Sequence, residues 1–252
     1  TAGAIAATGG TTVSVTQVAS SASSNHAGDA LTLCAVTVTG NANTTSVTST
    51  QTDAVAVDNS GDVTKAGIVN GAVSVLDANR TSATAAGTIT DVTLDSFAAA
   101  TVNSGALTTL NLSGTGTSVN AGTLGGLTTA ANSTLALNTS GLTTTSSVTI
   151  DADITTLNIT SSLDSSSSTT SASTIEDLEA GGVTTLNISG AEALTITDLM
   201  GTTSSAVTSV VSTNTGGVTI SDALAVGTLF TGAAGADDVT VGATTKAITM
   251  GA

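Results

Sequence analysis

Apolar and polar residues alternate in short runs along most of this chain, and a period of two is the signature of a half-buried β-strand. The pattern predicts strands at Thr12–Val18, Leu31–Thr39, Val47–Thr52, Val73–Leu76, Ile89–Leu94 and Leu107–Leu112. The series continues at Thr134–Leu137, Val148–Ile150, Ile154–Ile159, Val183–Ile188, Leu194–Ile196, Val207–Val211, Val218–Ile220 and Val239–Val241. Gly, Asn, Asp and Ser separate them, as in Asn41-Ala-Asn, Asp58-Asn-Ser-Gly, Asp77-Ala-Asn and Ser113-Gly-Thr-Gly; these residues tolerate tight-turn backbone. Helical spacing is scarce. The single predicted helical segment is Thr174-Ile-Glu-Asp-Leu-Glu-Ala-Gly-Gly, with Thr174 and Asp177 as a capping box and Gly181 as the stop.

One phrase repeats. Thr-Thr-Leu-Asn-(Leu/Ile) stands at Thr108–Leu112, Thr155–Ile159 and Thr184–Ile188, and its leucines lie 47 and then 29 residues apart. A short strand returning at such intervals is how a chain coils into a solenoid, each turn stacking on the last. The unequal spacing means that some turns carry loops. In a stack of parallel turns Asn111, Asn158 and Asn187 would hydrogen-bond along the axis. Equally, they would point to solvent from the polar face of each strand.

Composition narrows the class. The 252 residues contain 55 Thr and 32 Ser, no Trp, Tyr or Pro, and two Phe. A compact core is usually filled by aromatics and large aliphatics. Here Val, Ile, Leu, Ala and Thr methyls must suffice, which suits a thin core between facing strands built from β-branched residues. An immunoglobulin-type sandwich would bring a buried Trp and a Tyr corner, and this chain has neither residue. The expected fold is all-β, a parallel β-helix or β-solenoid with irregular turns. It divides into residues 1–225, the irregular solenoid, and residues 226–252, the start of a calcium-repeat segment.

Charge then limits partners. Eighteen acidic residues face three basic ones, Lys65, Arg80 and Lys246, for a net charge of −15. Such a chain repels nucleic acid and anionic membrane surfaces. Divalent cations are its natural counterions, although carboxylates also simply keep a protein soluble. No stretch is apolar enough for a membrane helix, and the start Thr1-Ala-Gly-Ala-Ile lacks the features of a signal peptide. The chain reads as a piece of a longer one. Cys34, alone and set among Leu and Val, reads as a small buried residue.

Candidate chemistry is sparse. Gly232-Ala-Ala-Gly-Ala-Asp-Asp-Val-Thr fits the calcium-binding nonapeptide Gly-Gly-x-Gly-x-Asp-x-(apolar)-x with Ala233 in place of the second Gly. Glycines give tight turns with exposed carbonyls and aspartate gives a hard oxygen. The candidate metal ligands are therefore Asp237, carbonyls near Gly235, and Asp238 as a neighbour, with Ca2+ as the ion; a plain turn with exposed carboxylates is the other reading. Asp151 and Asp153 are expected on one face of an extended segment, either chelating or as a solvated pair. Glu176, Asp177 and Glu179 are expected at a helix start, where they favour the macrodipole. With one histidine, His26, one cysteine and no Gly-x-Ser-x-Gly elbow, neither zinc chemistry nor a nucleophile–base pair is readable, so no enzyme activity is expected.

Longer runs carry a resemblance. Asp91-Val-Thr-Leu-Asp-Ser-Phe-Ala-Ala-Ala-Thr-Val-Asn-Ser-Gly-Ala-Leu-Thr-Thr-Leu-Asn-Leu-Ser-Gly-Thr-Gly-Thr-Ser resembles the central part of Caulobacter-type surface-layer (S-layer) proteins. So do Gly141-Leu-Thr-Thr-Thr, Thr184-Thr-Leu-Asn-Ile-Ser-Gly, Phe230-Thr-Gly-Ala-Ala-Gly-Ala-Asp, Gly242-Ala-Thr-Thr-Lys-Ala-Ile and the opening Gly3-Ala-Ile-Ala-Ala-Thr-Gly-Gly. The resemblance spans nearly the whole chain, with substitutions and shifted loops. It implies a type I-secreted, calcium-dependent RTX protein of the bacterial cell surface, whose lattice-forming part is a β-solenoid assembling with copies of itself. It also implies that lipopolysaccharide is gripped only by regions outside this chain. Two other functions fit the residues less well: a calcium-dependent repeat adhesin binding a surface glycan, and a lyase-like solenoid enzyme.

Overall fold

The structure, a computed structural model, describes residues 4–18, 31–52, 68–123, 132–163, 171–199, 206–233, 235–243 and 245–251. His26, Lys65 and the Asp58 turn lie outside the described residues. What is described is strand and turn, with no helix. The first strands are β1 (Ile5–Thr8), β2 (Thr12–Val18), β3 (Leu31–Thr32), β4 (Val36–Thr39), β5 (Ser46–Thr52), β6 (Ile68–Val69) and β7 (Val73–Leu76). Two long strands follow, β8 (Asp91–Asn103) and β9 (Thr109–Thr123), then β10 (Thr134–Thr144), β11 (Ser147–Ile150), β12 (Thr156–Ser162) and β13 (Ser173–Glu179). The remainder are β14 (Thr185–Gly190), β15 (Leu194–Leu199), β16 (Ser209–Ser212), β17 (Val218–Leu224), β18 (Leu229–Thr231), β19 (Asp238–Val241) and β20 (Ile248–Thr249).

Every pairing is parallel, and most strands pair with the one two places along. One ladder runs β2–β5–β8–β9–β10–β12–β14–β16–β18–β20. The other runs β1–β4–β7–β8–β9–β11–β13–β15–β17–β19. Strands β8 and β9 are long enough to serve both, with a register shift where each bends. The pairings β9–β10, β10–β13, β13–β11 and β11–β9 also close on themselves as a ring of four parallel strands. The ladders run across residue 225 without interruption, since β18, β19 and β20 pair with β16, β17 and β18.

Register stacks like on like. Val47, Val92, Leu110, Leu137, Ile159 and Ile188 form one inward column, and Val36, Val73, Ala100, Val119, Val148 and Leu178 a second. All twelve are essentially buried. Burying a Val, Leu or Ile side chain stabilises by about 1.5–3 kcal/mol, so these columns, rather than aromatic anchors, hold the core. Polar residues occupy the alternate, outward positions. The two rings, Phe97 and Phe230, are both buried within it.

The bends repeat as well. Asp95, Ser113 and Ser140 are register partners in turn, and the next residue in each strand takes a left-handed backbone: Ser96 (φ 55), Gly114 (φ 68) and Gly141 (φ 56). At other corners an Asp or Asn closes a tight turn by accepting the backbone N–H two residues on, as at Asn41–Asn43, Asp77–Asn79, Asp151–Asp153 and Asn214–Gly216.

Three expectations are overturned. The segment predicted helical from Thr174 is strand β13. Ile175 and Leu178 are both buried while Glu176 and Asp177 between them face out; the strand bends here, in register with β15, and so reproduces the i, i+3 spacing that suggested a helix. Asp151 and Asp153 sit in a turn, not on one face of an extended segment, and Asp151 is largely buried. Cys34 is half-buried, because Leu33 and Val36 take the inward positions beside it.

Candidate functional site

The asparagines of the repeated phrase do bond along the stack, but not as one column. Asn187 Nδ2 donates to Asn158 Oδ1 at 2.8 Å. Asn111 instead accepts from Asn138 at 2.8 Å and donates to Thr93 Oγ1 at 3.0 Å. Strand β10 lies between the first and second copies of the phrase. It pairs Leu137 with Leu110 on one side and Leu135 with Leu157 on the other. The copies are therefore offset by two residues, a shift that keeps every side chain on its own face.

The residues singled out for calcium lie in the connection from β18 to β19, with Asp238 the first residue of β19. Asp237 follows the inward column Ser173–Leu194–Val218, one place before the register pair Thr219–Asp238. Its Oδ1 accepts the Val218 N–H at 3.1 Å, standing in for a strand carbonyl. Its Oδ2 is buried with no hydrogen-bond partner and packs against Gly232, where a Cβ would overlap it. Gly235 passes so close to the backbone of Asn214 and Gly217 that no side chain fits there. Asp238 is exposed and, by strand alternation, projects away from Asp237. The structure thus brings Gly235 and Asp237 to one corner and points Asp238 elsewhere.

A second acidic group forms along the other ladder, and sequence reasoning saw only part of it. Asp177 on β13 is the register partner of Asp198 on β15. Asp222, two residues beyond Ile220, the partner of Ile196, reaches Asp198 through a carboxyl–carboxyl hydrogen bond. Parallel neighbours are about 4.8 Å apart, so three carboxyl groups stand in file. Glu176 and Glu179 flank Asp177, and Glu179 Oε2 accepts the Thr149 hydroxyl at 2.9 Å. These glutamates and Asp177 sit on a strand, not at the helix start expected for them.

The electrostatics follow from that stacking. Burial pushes the Asp177 carboxyl above the usual range, and Glu179, Asp198, Asp222 and Glu176 all push the same way. One of its oxygens, Oδ1, is buried without a partner. Asp222 is raised first by its hydrogen bond with Asp198, then by burial and by the Asp198 charge. Asp151 is also raised, by burial against the opposing effect of its bond from Asp153 N–H. Sequence spacing hides the file, because Asp177, Asp198 and Asp222 lie 21 and 24 residues apart. Only the register joins them.

Among the described residues no group of three or more His, Cys, Asp or Glu converges on a single point to hold a metal ion. The carboxylates are arranged in file instead. Likewise, among the described residues no helix is long and apolar enough to cross a membrane. No protein-family model and no curated protein sequence matches this chain.

Proposed function

We propose that this chain is part of a structural protein of a bacterial surface layer, a β-solenoid that assembles with copies of itself through calcium-dependent contacts. The reading rests on the acidic file Asp177–Asp198–Asp222. Parallel pairing of strands two apart, as in β13–β15–β17, is what successive turns of a solenoid produce, and such coiling would stack like charges. A hard divalent ion between neighbouring carboxylates would offset their repulsion. The Asp237 corner, with Gly235 beside it, supplies a second place where an oxygen ligand lies without a partner. Extracellular placement, where calcium is plentiful, and secretion by a type I route follow from the S-layer resemblance. Lipopolysaccharide anchoring belongs on this reading to regions outside the chain, and no catalytic role is proposed.

The test uses the full-length protein. Added calcium should convert it from soluble species to ordered two-dimensional sheets visible by electron microscopy, and a chelator should dissolve them. Replacing Asp177, Asp198 and Asp222 together with Asn should raise the calcium concentration needed for assembly. A protein that stays monomeric by light scattering at millimolar calcium overturns the proposal.

A further inference from the structure

Two polar columns run side by side across successive strands of the first ladder. Thr50, Asp95, Ser113, Ser140 and Ser162 are register partners in turn. Next to them Thr93, Asn111 and Asn138 form the second column. Between them lies a groove of about 440 Å³, floored by the buried Leu112 and Thr139 and rimmed by Leu163, which is 51% exposed. Ligand clefts span roughly 300–1,000 Å³. The groove belongs neither to the Asp237 corner nor to the acidic file, and beside its two leucines its lining is hydroxyl and amide with one carboxylate, Asp95.

We propose that this groove binds a neutral linear oligosaccharide lying along the ladder axis. Hydroxyls and primary amides recognise sugar hydroxyls by paired donation and acceptance, and the Asn138→Asn111→Thr93 chain of hydrogen bonds holds the two amides in fixed orientation. Leu163 offers an apolar contact for the C–H face of a ring. The lining repeats every strand, at about 4.8 Å, close to the rise of one hexose in an extended glycan. Successive strands therefore present near-equivalent subsites to successive sugars. A net charge of −15 and Asp95 in the groove disfavour uronate or sulfated chains. This inference does not rest on calcium or on lattice assembly.

The full chain is titrated with cellohexaose and chitohexaose, and with the matching disaccharides, by calorimetry and NMR in the presence of a chelator. Chelation separates this result from the calcium-dependent one. One hexasaccharide should bind saturably, about tenfold or more tighter than its disaccharide, because several subsites act together. Ser113→Leu with Ser140→Leu should fill the groove and remove binding at an unchanged Tm. If that pair unfolds the protein, Leu163→Asp at the exposed rim should still weaken binding several-fold. No saturable binding of either hexasaccharide at millimolar concentration overturns the proposal. So does equal affinity for di- and hexasaccharide, or undiminished binding in a folded groove variant.

Discussion

At the scale of single residues, tolerance is set by how closely neighbouring strands approach. Gly116 is the partner of Phe97, and a Cβ at 116 would overlap the Phe97 ring, which is 1% exposed and has nowhere to go. Gly116→Ala should therefore destabilise by about 1–3 kcal/mol, the usual cost of overpacking, seen as a lower urea midpoint at unchanged m-value. Asp77 is a different case. Its fully buried carboxylate accepts the N–H groups of Asn79, Thr88 and Ile89 and lies 3.2 Å from the Ser104 hydroxyl. It pins both ends of the loop between β7 and β8. Asp77→Ala would leave those amides without partners, at about 1–3 kcal/mol for each one that stays buried, so denaturant unfolding should show a loss of several kcal/mol. A loss below 1 kcal/mol would mean that water reaches these amides. The Asp77-Ala-Asn turn was legible in the sequence. Its three further partners were not, because they lie 11 to 27 residues away.

At the scale of the element, alternation placed most strands, and its failures share one cause. A strand that bends puts two residues in succession on the same side. Ile175-Glu-Asp-Leu178 and Ile196-Thr-Asp-Leu199 both do this in register, and in isolation each resembles a helical turn. The long strands β8 and β9 were underestimated for the same reason. Left-handed Ser96 and Gly114 look like turn residues, yet the chain resumes as strand in the other ladder. The repeated phrase was a good guide to strand identity but a poor one to register. Copies two and three align residue for residue, while β10 inserts a two-residue offset between copies one and two. Asn187→Leu should then cost about 0.5–1.5 kcal/mol through its lost bond to Asn158. In Asn158→Leu/Asn187→Leu, where neither amide is stranded, part of that loss should return. A double-mutant cycle by thermal unfolding measures the coupling, and strictly additive losses would show that the two amides act independently.

At the scale of the whole molecule the acidic file carries the sharpest prediction, and its sign is fixed by protonation. Asp177 and Asp222 have folded-state pKa values above the ordinary 3.8. The folded protein therefore holds these protons more tightly than the unfolded chain does. Their contribution is most favourable at low pH and is lost as pH rises from 3.8 through the raised folded values. In that window Tm should fall with rising pH if these groups dominate, opposite to the trend of a protein whose carboxylates are salt-bridged. Asp177→Asn, which keeps the shape and removes the charge, should flatten this slope and raise Tm at pH 7. Calcium should flatten the wild-type slope too if it lies between the file's carboxylates, by relieving the same repulsion, and should do less for the variant. Neither the direction nor its calcium sensitivity was available from the net charge, because −15 spread over 252 residues says nothing about which carboxylates share a column. A Tm that rises through this window and ignores Asp177→Asn would mean that solvent already screens the file, leaving the Asp237 corner as the place to look for calcium.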